Sequence, residues 1–242
     1  MTSPKAKFEQ DLSLLLSRLV VDMGEDQAQR LFRLRDDLLN LQRANVVKIN
    51  HSVMELVCAK YLVRKGYDVQ LEYKLDEVLT CDLYSTKGYG NLIVEIETGY
   101  IPPEHALDPL TYTYARLASK IVRYSSFAGK FAIGVPPHYI LPLPRALSIP
   151  PRKRTLTDVE QIKNLCDHFY QNPPVTLDGI QNARIHEIYI IDVDRIKVHA
   201  MDPEAYVKRA LQKGTIFSLE GKEEEAKKEI EKEETLDFYL NP

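Results

Sequence analysis

The chain has 242 residues, of which 44% are hydrophobic and 28% are charged, and this is the composition of a globular protein, not of a disordered one. No apolar run approaches the roughly 18 residues that a membrane helix needs, and the first ten residues lack the basic-then-apolar layout of a secretory signal. We therefore expect a cytoplasmic (intracellular) protein without a membrane partner. Its three cysteines have no metal-binding spacing and are expected to be buried, reduced thiols.

The net charge of −3 is unevenly distributed along the chain. Residues 220–234 hold eight glutamates and four lysines, whereas arginine and lysine cluster at 116–130 and at 145–154. A local basic face matters more for contact with phosphate than the sum over the whole chain. The overall charge therefore leaves nucleic acid open as a partner.

Helical periodicity predicts an N-terminal hairpin of two helices at 5–22 and 25–45. Its apolar side needs a partner surface, which is either the protein's own core or a second copy of the chain in a homodimer. A third helix is predicted at about 52–65, where Ser52 and Glu55 have the spacing of a capping box and Gly66 ends the helix.

Three strand-like segments follow, at residues 69–73, 79–84 and 91–97. A helix near 109–126 separates them from a buried fourth strand at 131–135. Tight turns between the first three strands indicate an antiparallel meander, and the long connection before the fourth strand indicates a crossover. The sequence thus predicts an α/β protein with a mixed sheet.

Prolines at 136–151 interrupt regular structure after the fourth strand. Beyond them the sequence predicts a helix at 157–170, with Thr157 and Glu160 as a capping box, a strand at 185–192 and a helix at 203–213. We expect four parts: an N-terminal helical hairpin (1–46), a core (47–150), a helix-strand-helix extension of the core (151–213) and a charged tail (214–242).

Acidic residues on the second and third strands are the main candidates for chemistry. Because strand side chains alternate between faces, Glu95 and Glu97 share the face opposite to the apolar residues of their strand. The same alternation puts Asp82 on the face opposite to Cys81 and Leu83. If the two strands pair, Asp82 lies beside Glu95 and three carboxylates converge.

Carboxylates gathered in this way repel one another in a low dielectric, and a divalent cation removes the repulsion. Glu55, on the helix that enters the sheet, could add a fourth carboxylate, although it could equally be only a helix cap. Oxygen ligands favour Mg²⁺ or Mn²⁺, which support metal-assisted hydrolysis of a phosphodiester. The six histidines show no metal-ligand spacing and are expected to be structural. Acids on a solvated strand face are the alternative.

This arrangement resembles the PD-(D/E)XK nuclease superfamily, which includes restriction endonucleases, archaeal Holliday junction resolvases and RecB-like nucleases. The resemblance covers roughly residues 50–135 and implies a restriction endonuclease-like core, α-β-β-β-α-β. The first motif acid is Asp82, where Cys81 takes the place of the usual proline. After a gap of twelve residues the second motif reads Glu95-Ile96-Glu97, an ExE variant with Glu97 in place of the lysine.

The resemblance also implies how the site would work. Asp82 and Glu95 would hold the Mg²⁺ or Mn²⁺, with the Ile96 carbonyl and Glu55 as further ligands.

The helix after the third strand would complete the catalytic group. Glu97, or Lys120 on that helix, would position or deprotonate the attacking water, because some members carry the lysine there. Lys120 and Tyr124 are four residues apart and share a helix face. Arg116, Arg123 and Tyr124 would contact nucleic acid, the alternative being that these basic residues line a solvated helix face.

Three functions follow as hypotheses. The resemblance implies a Mg²⁺-dependent DNA endonuclease, acting as a homodimer because cutting two strands favours two-fold symmetry. The missing motif lysine leaves open a catalytically inactive nucleic-acid-binding protein on a nuclease fold. An assembly protein that works through its hairpin and charged tail is the third.

Overall fold

The structure is a computed structural model, and it describes residues 4–44, 49–171 and 174–212. Its central layer is a six-stranded mixed sheet. The order of the strands across the sheet is their order along the chain. They are β1 (Asp68–Lys74), β2 (Thr80–Lys87), β3 (Gly90–Ile96), β4 (Lys130–Val135), β5 (Glu187–Asp192) and β6 (Lys197–Met201).

Helices cover both faces of this sheet. In chain order they are α1 (Pro4–Leu19), α2 (Glu25–Arg43), α3 (Ile49–Arg64), α4 (Pro109–Tyr124), α5 (Arg145–Ser148), α6 (Leu156–Phe169), α7 (Leu177–Asn182) and α8 (Pro203–Gln212). The described residues up to Val207 form one compact unit, and residues 208–212 are assigned to a second one. The predicted charged tail at 214–242 lies outside the described residues.

The predicted α/β class and mixed sheet are confirmed. β1, β2 and β3 are an antiparallel meander, and β4 lies parallel to β3 on the far side of the α4 crossover. β5 is parallel to β4, and β6 is an antiparallel edge strand that the sequence pattern does not predict. Within the described residues, no helix is long and apolar enough to cross a membrane.

The apolar side of the N-terminal hairpin packs within the chain. α1 and α2 contact each other and α3, and α3 contacts the sheet. Their leucines join the sheet residues Leu83 and Val94 in one hydrophobic cluster, which we call the α3-side core. On the opposite face, α4, α6 and α7 bury Leu117, Ile121 and Ile162 against the strands in the α4-side core. Of the two partners considered for the hairpin, its own core is therefore the one observed.

Both predicted capping boxes are corrected. α3 begins at Ile49, so Ser52 lies inside the helix with its side chain buried, and Glu55 caps nothing. The capping box of α6 lies two residues earlier than predicted. Asp158 donates its amide to Oγ1 of Thr155 at 3.1 Å, and Thr155 donates its amide to Oδ2 of Asp158 at 2.8 Å.

The side chains of β2 do not point strictly to alternate faces of the sheet. Cys81 packs in the α4-side core whereas Leu83 packs in the α3-side core, so the prediction that they share a face is wrong. The cause lies between them. The register of β1 and β2 omits the pair of Glu72 and Asp82, and Glu72 has a φ of +47°. The ladder is interrupted at this point, and such an interruption changes which face the following side chains meet. All three cysteines are buried and free, as predicted.

Candidate metal centre

The candidate site lies where β2 and β3 separate. Leu83 and Val94 are the last paired residues, and beyond them side chains replace the backbone ladder. The amide of Asp82 donates to Oε1 of Glu95 at 3.0 Å. The amide of Ile96 donates to Oδ2 of Asp82 at 2.5 Å. Two carboxylates thus accept the hydrogen bonds that strand carbonyls would accept, which fixes both side chains at the strand ends.

Helix α4 lays three side chains along these strand ends at a spacing of four residues. Lys120 Nζ lies 2.9 Å from Oε2 of Glu95 and 2.6 Å from Oε1 of Glu97. Arg116 Nη2 lies 2.6 Å from Oε2 of Glu97. Tyr124 donates its hydroxyl to the carbonyl of Thr80 at 3.1 Å. The predicted shared face of Lys120 and Tyr124 is confirmed, and it faces the acids.

Glu95 and Glu97 are each only 2% exposed, so their charges depend on these partners. Burial alone would raise the pKa of Glu97, but Lys120 and Arg116 outweigh it and lower that pKa. Burial raises the pKa of Glu95 to about 8, where Lys120 opposes the rise and Asp82 adds to it. Burial would lower the pKa of Lys120, but the surrounding carboxylates hold it well above its usual range. Lys120 is therefore a cation at neutral pH.

A second group of ligand atoms converges on the α3 side. One ligand atom each from His51, Glu55 and Asp82 lies within 4.8 Å of the others. Glu55 is 0% exposed, and neither of its carboxylate oxygens has a hydrogen-bond partner among the described residues. Burial, together with the charges of Asp82 and Glu72, raises the pKa of Glu55 well above its usual range.

A bound cation fits this group. A buried carboxylate without a partner is costly, and metal coordination is one of the few ways to satisfy it. Ligand atoms within 4.8 Å of one another need only small movements to reach a common ion at the roughly 2.0–2.2 Å of Mg²⁺–oxygen or metal–imidazole bonds. The interpretation of Glu55 as a mere helix cap is wrong, because its carboxylate points into this group.

The structure places each predicted site residue at or beside the centre. Asp82 and Glu55 come together, whereas Glu95 lies next to them with its second oxygen on Lys120. Ile96 ends β3 with its amide on Asp82. Arg116, predicted to contact nucleic acid, is half-buried and also donates to the carbonyl of Tyr100 at 2.7 Å.

The remaining basic candidate lies farther along α4. The guanidinium of Arg123 lies 5.8 Å from the ring centroid of Tyr170. Arg123 and Tyr124 are both half-buried. The three predicted nucleic-acid-binding residues are therefore only partly exposed, and the solvated-face alternative does not describe Arg116, which holds Glu97.

Sequence reasoning missed two residues at this centre. His51 lies four residues before Glu55, which puts both on one helix face, and that spacing was the available signal. Glu72 lies between Leu71 and Tyr73, which pair with the two neighbours of Asp82, although Glu72 and Asp82 are not themselves paired. Burial and the charge of Asp82 raise the pKa of Glu72 to about 7. Nothing in the sequence around Glu72 signals its left-handed backbone.

A cleft of about 520 Å³ lies next to the centre. Met54 and Thr98, which line it, are the chain neighbours of Glu55 and Glu97, and the C-terminal end of β5 closes it with Asp192. In open α/β sheets, ligands bind beyond the carboxyl ends of parallel strands. β3, β4 and β5 end here, so the cleft lies at the edge of the sheet where such folds bind ligands.

Comparison of the chain with protein-family models, with curated proteins and with solved structures found no match.

Proposed function

We propose that the protein is a metal-dependent deoxyribonuclease that hydrolyses phosphodiester bonds as an endonuclease with Mg²⁺ or Mn²⁺. The observation that carries the proposal is the buried carboxylate of Glu55, which has no hydrogen-bond partner in the described part of the chain. It lies beside Asp82, which is hydrogen-bonded to Glu95 and Ile96. The α3–β1–β2–β3–α4–β4 order and the ExE motif support assignment to the PD-(D/E)XK nuclease superfamily.

Asp82, Glu55 and His51 would hold the cation, and Glu95 and the Ile96 carbonyl are the further candidate ligands. When bound, the cation supplies Lewis-acid activation of a water and neutralises charge on the phosphate. The protein contributes fixed geometry, because Asp82 and Glu95 are each held by a backbone or lysine contact before any ligand arrives.

Lys120 would act through its charge. It is a cation at neutral pH between Glu95 and Glu97, so it is not a proton acceptor in this state. A fixed ammonium beside the scissile phosphate stabilises the negative charge that develops there. Glu97 positions Lys120 and Arg116 through its two oxygens.

A catalytically inactive DNA-binding protein is the second candidate. It is favoured by the pairing of Glu97, at the position of the motif lysine, with two basic residues of α4. A homodimer belongs to the nuclease proposal, because a duplex cut on both strands needs two sites. Sedimentation of the full chain with and without DNA measures that dimer.

The test is cleavage of a panel of labelled DNA structures (duplex, flap, junction and single strand) with Mg²⁺, Mn²⁺ or EDTA. We expect metal-dependent cleavage by the wild type that Asp82→Asn and Glu95→Gln abolish. Asp11→Asn, which changes an exposed aspartate of α1, is the matched control and should cleave normally. If the folded wild type cuts no DNA yet binds it, the inactive candidate replaces the nuclease.

A further inference from the structure

The cleft beside the candidate metal centre has no role in the hydrolysis proposed above. Its lining comes from the start of α3, from the loop after β4 with Pro136 and His138, and from the turn after β5 with Asp192 and Arg195. Its volume is about 520 Å³. Pockets of roughly 300–1,000 Å³ hold single small ligands, so the cleft has room for one nucleotide-sized group and none for a DNA duplex.

The cleft adjoins the acids of the candidate centre through the chain itself. Met54 and Thr98 line it, and their chain neighbours are Glu55 and Glu97. Consecutive Cα atoms are about 3.8 Å apart. If DNA is cut at these acids, the group that enters the cleft is the one next to the scissile phosphate, which is the sugar and base of an adjoining nucleotide.

The lining favours the base over the phosphate. Ile191 and Met54 are 0% and 5% exposed, so they give the cleft an apolar floor that suits the flat face of a base. The charged lining residues that the structure describes are Asp192, Asp194 and Arg195, two carboxylates and one guanidinium. This excess of negative charge repels a phosphate and does not repel a neutral base.

Asp192 is a fixed hydrogen-bond acceptor in this lining. Arg195 donates its amide to Oδ1 of Asp192 at 3.0 Å and its guanidinium to Oδ2 at 2.9 Å. These contacts lower the pKa of Asp192, so at neutral pH its carboxylate accepts hydrogen bonds and donates none. A carboxylate has about four lone-pair sites, and the two contacts leave acceptor capacity for a ligand. Arg18 of α1 holds the same turn by donating to the carbonyl of Asp194 at 2.8 Å.

This chemistry distinguishes between bases. A paired base is stacked inside the duplex and must be extruded before it can enter a pocket, whereas an unpaired base needs little extrusion. A carboxylate accepts a hydrogen bond from the amino group of cytosine. Thymine, a pyrimidine of similar size, presents carbonyl oxygens at the corresponding edge, and these repel a carboxylate.

We propose that the cleft binds one unpaired base next to the scissile phosphate, with Asp192 accepting a hydrogen bond from the amino group of that base. His138, which is exposed and lines the cleft, would contact the face of the base, as histidine rings do with unstacked bases. The inference rests on the proposed function and names its substrate class, which is DNA with an unpaired, amino-bearing base at a bulge, flap or junction.

The test is the affinity of the full chain for labelled DNA duplexes, measured by fluorescence anisotropy in EDTA so that metal-dependent cleavage is prevented. The duplexes are identical except at one position, which is fully paired or carries a bulged cytosine, a bulged thymine or a bulged abasic site. A hydrogen bond to a charged group supports a preference of at least ~5-fold for cytosine over thymine. The paired and abasic duplexes should bind more weakly than the cytosine bulge by at least as much.

Two variants connect this preference to the cleft. Asp192→Asn keeps an acceptor for the amide of Arg195 and should remove the preference for cytosine over thymine, whereas Asp11→Asn on the exposed face of α1 should keep it. His138→Ala should weaken binding of the cytosine bulge, and His199→Ala, an exposed histidine of β6, should not. Circular dichroism confirms the fold of each variant. Equal affinity of the wild type for the four duplexes, or a preference that survives in folded Asp192→Asn, would overturn the inference.

Failure of this inference and failure of the nuclease proposal give different results. Metal-dependent cleavage that requires Asp82, together with equal affinity for the four duplexes, overturns only the role of the cleft. Tighter binding of the cytosine bulge, with no cleavage of any DNA in Mg²⁺ or Mn²⁺, supports the cleft and favours the inactive DNA-binding protein. A wild type that neither binds nor cuts DNA overturns both.

Discussion

Asp82 donates its backbone amide to the carboxylate of Glu95 at 3.0 Å, one step beyond the last paired residues of β2 and β3. A side chain thus takes over where the strand ladder ends. Asp82 in turn accepts from the amide of Ile96. The two acids are held by backbone groups and need no ligand to keep their positions, which is the preorganisation that the proposed nuclease site would require.

We expect the stability of the metal-free protein to fall as pH rises. The folded state raises the pKa of Glu72 to about 7 and that of Glu95 to about 8, and it raises that of Glu55 as well, against an ordinary value of 4.5. The folded protein therefore holds protons that the unfolded chain has lost. The resulting stabilisation is complete below pH 4.5, the ordinary pKa of a glutamate. It disappears as the pH rises through the pKa values that these glutamates have in the folded state.

Thermal unfolding in EDTA from pH 5 to pH 9 measures this slope. Glu55→Gln should flatten it, because an amide cannot ionise, whereas Glu160→Gln on the exposed face of α6 should leave it unchanged. Mn²⁺ should bind more tightly as pH rises, since its ligands must lose their protons. A melting temperature of the metal-free wild type that rises steadily over this range would contradict the assignment.

Removal of the Lys120 ammonium should be far more damaging than removal of a half-buried lysine that pairs with a half-exposed acid. Lys120→Ala leaves Glu95 and Glu97 buried without their shared cation. Breaking a buried ion pair costs about 3–5 kcal/mol. Lys163, which pairs with Asp167 on α6, is the control, and Lys163→Ala should change the free energy of unfolding by under about 1 kcal/mol. Urea denaturation compares the two, and equal losses would mean that the acids are not held by Lys120.

Gly99, in the loop after β3, should not tolerate a side chain. A Cβ there would lie 2.5 Å from Cε2 of Tyr139, and the φ of Gly99 is +81°. Gly88 has a φ of +58° with nothing within 4 Å of such a Cβ, so Gly88→Ala isolates the backbone strain of about 1–2 kcal/mol. Gly99→Ala should lose this much and more in urea denaturation. Equal losses for the two variants would show that Tyr139 can move aside freely.

The N-terminal hairpin should behave as part of the core. Leu38 of α2 is 0% exposed in the α3-side core, whereas Leu14 of α1 is 66% exposed. We expect Leu38→Ala to lower the free energy of unfolding by about 2–5 kcal/mol and Leu14→Ala to have little effect. Urea denaturation of both variants checks this, and equal losses for the two would mean that α2 does not contribute to the core as the structure shows.

The faces on which the acids of β3 and the polar residues of α4 lie could be predicted from the periodicity of side chains along strands and helices. Apolar alternation in β3 placed Glu95 and Glu97 on one face, and both meet Lys120 in the structure. The four-residue spacing of Lys120 and Tyr124 on α4 was likewise enough to predict that the two side chains share one face of the helix. These features depend on regular strand and helix geometry, which the sequence pattern encodes directly.

The parts that could not be predicted depend on irregular backbone. No glycine or proline marks the left-handed residue Glu72, so its place at the centre had no signal. Ser52 and Glu55 imitate a capping box because their spacing is shared by residues inside a helix. β6 was missed because its residues are half-exposed at the sheet edge and include Lys197 and His199.

The carboxylates of Glu95 and Glu97 find their side-chain partners, Lys120 and Arg116, within the chain itself. The frame of the site therefore persists whether or not an ion is present. For the proposed nuclease, the concentration of the free ion would then control the activity, because an ion binds to preformed side chains without any refolding of the chain. The metal-free protein would bind DNA without cleaving it, and cleavage would begin as fast as the ion diffuses to the site.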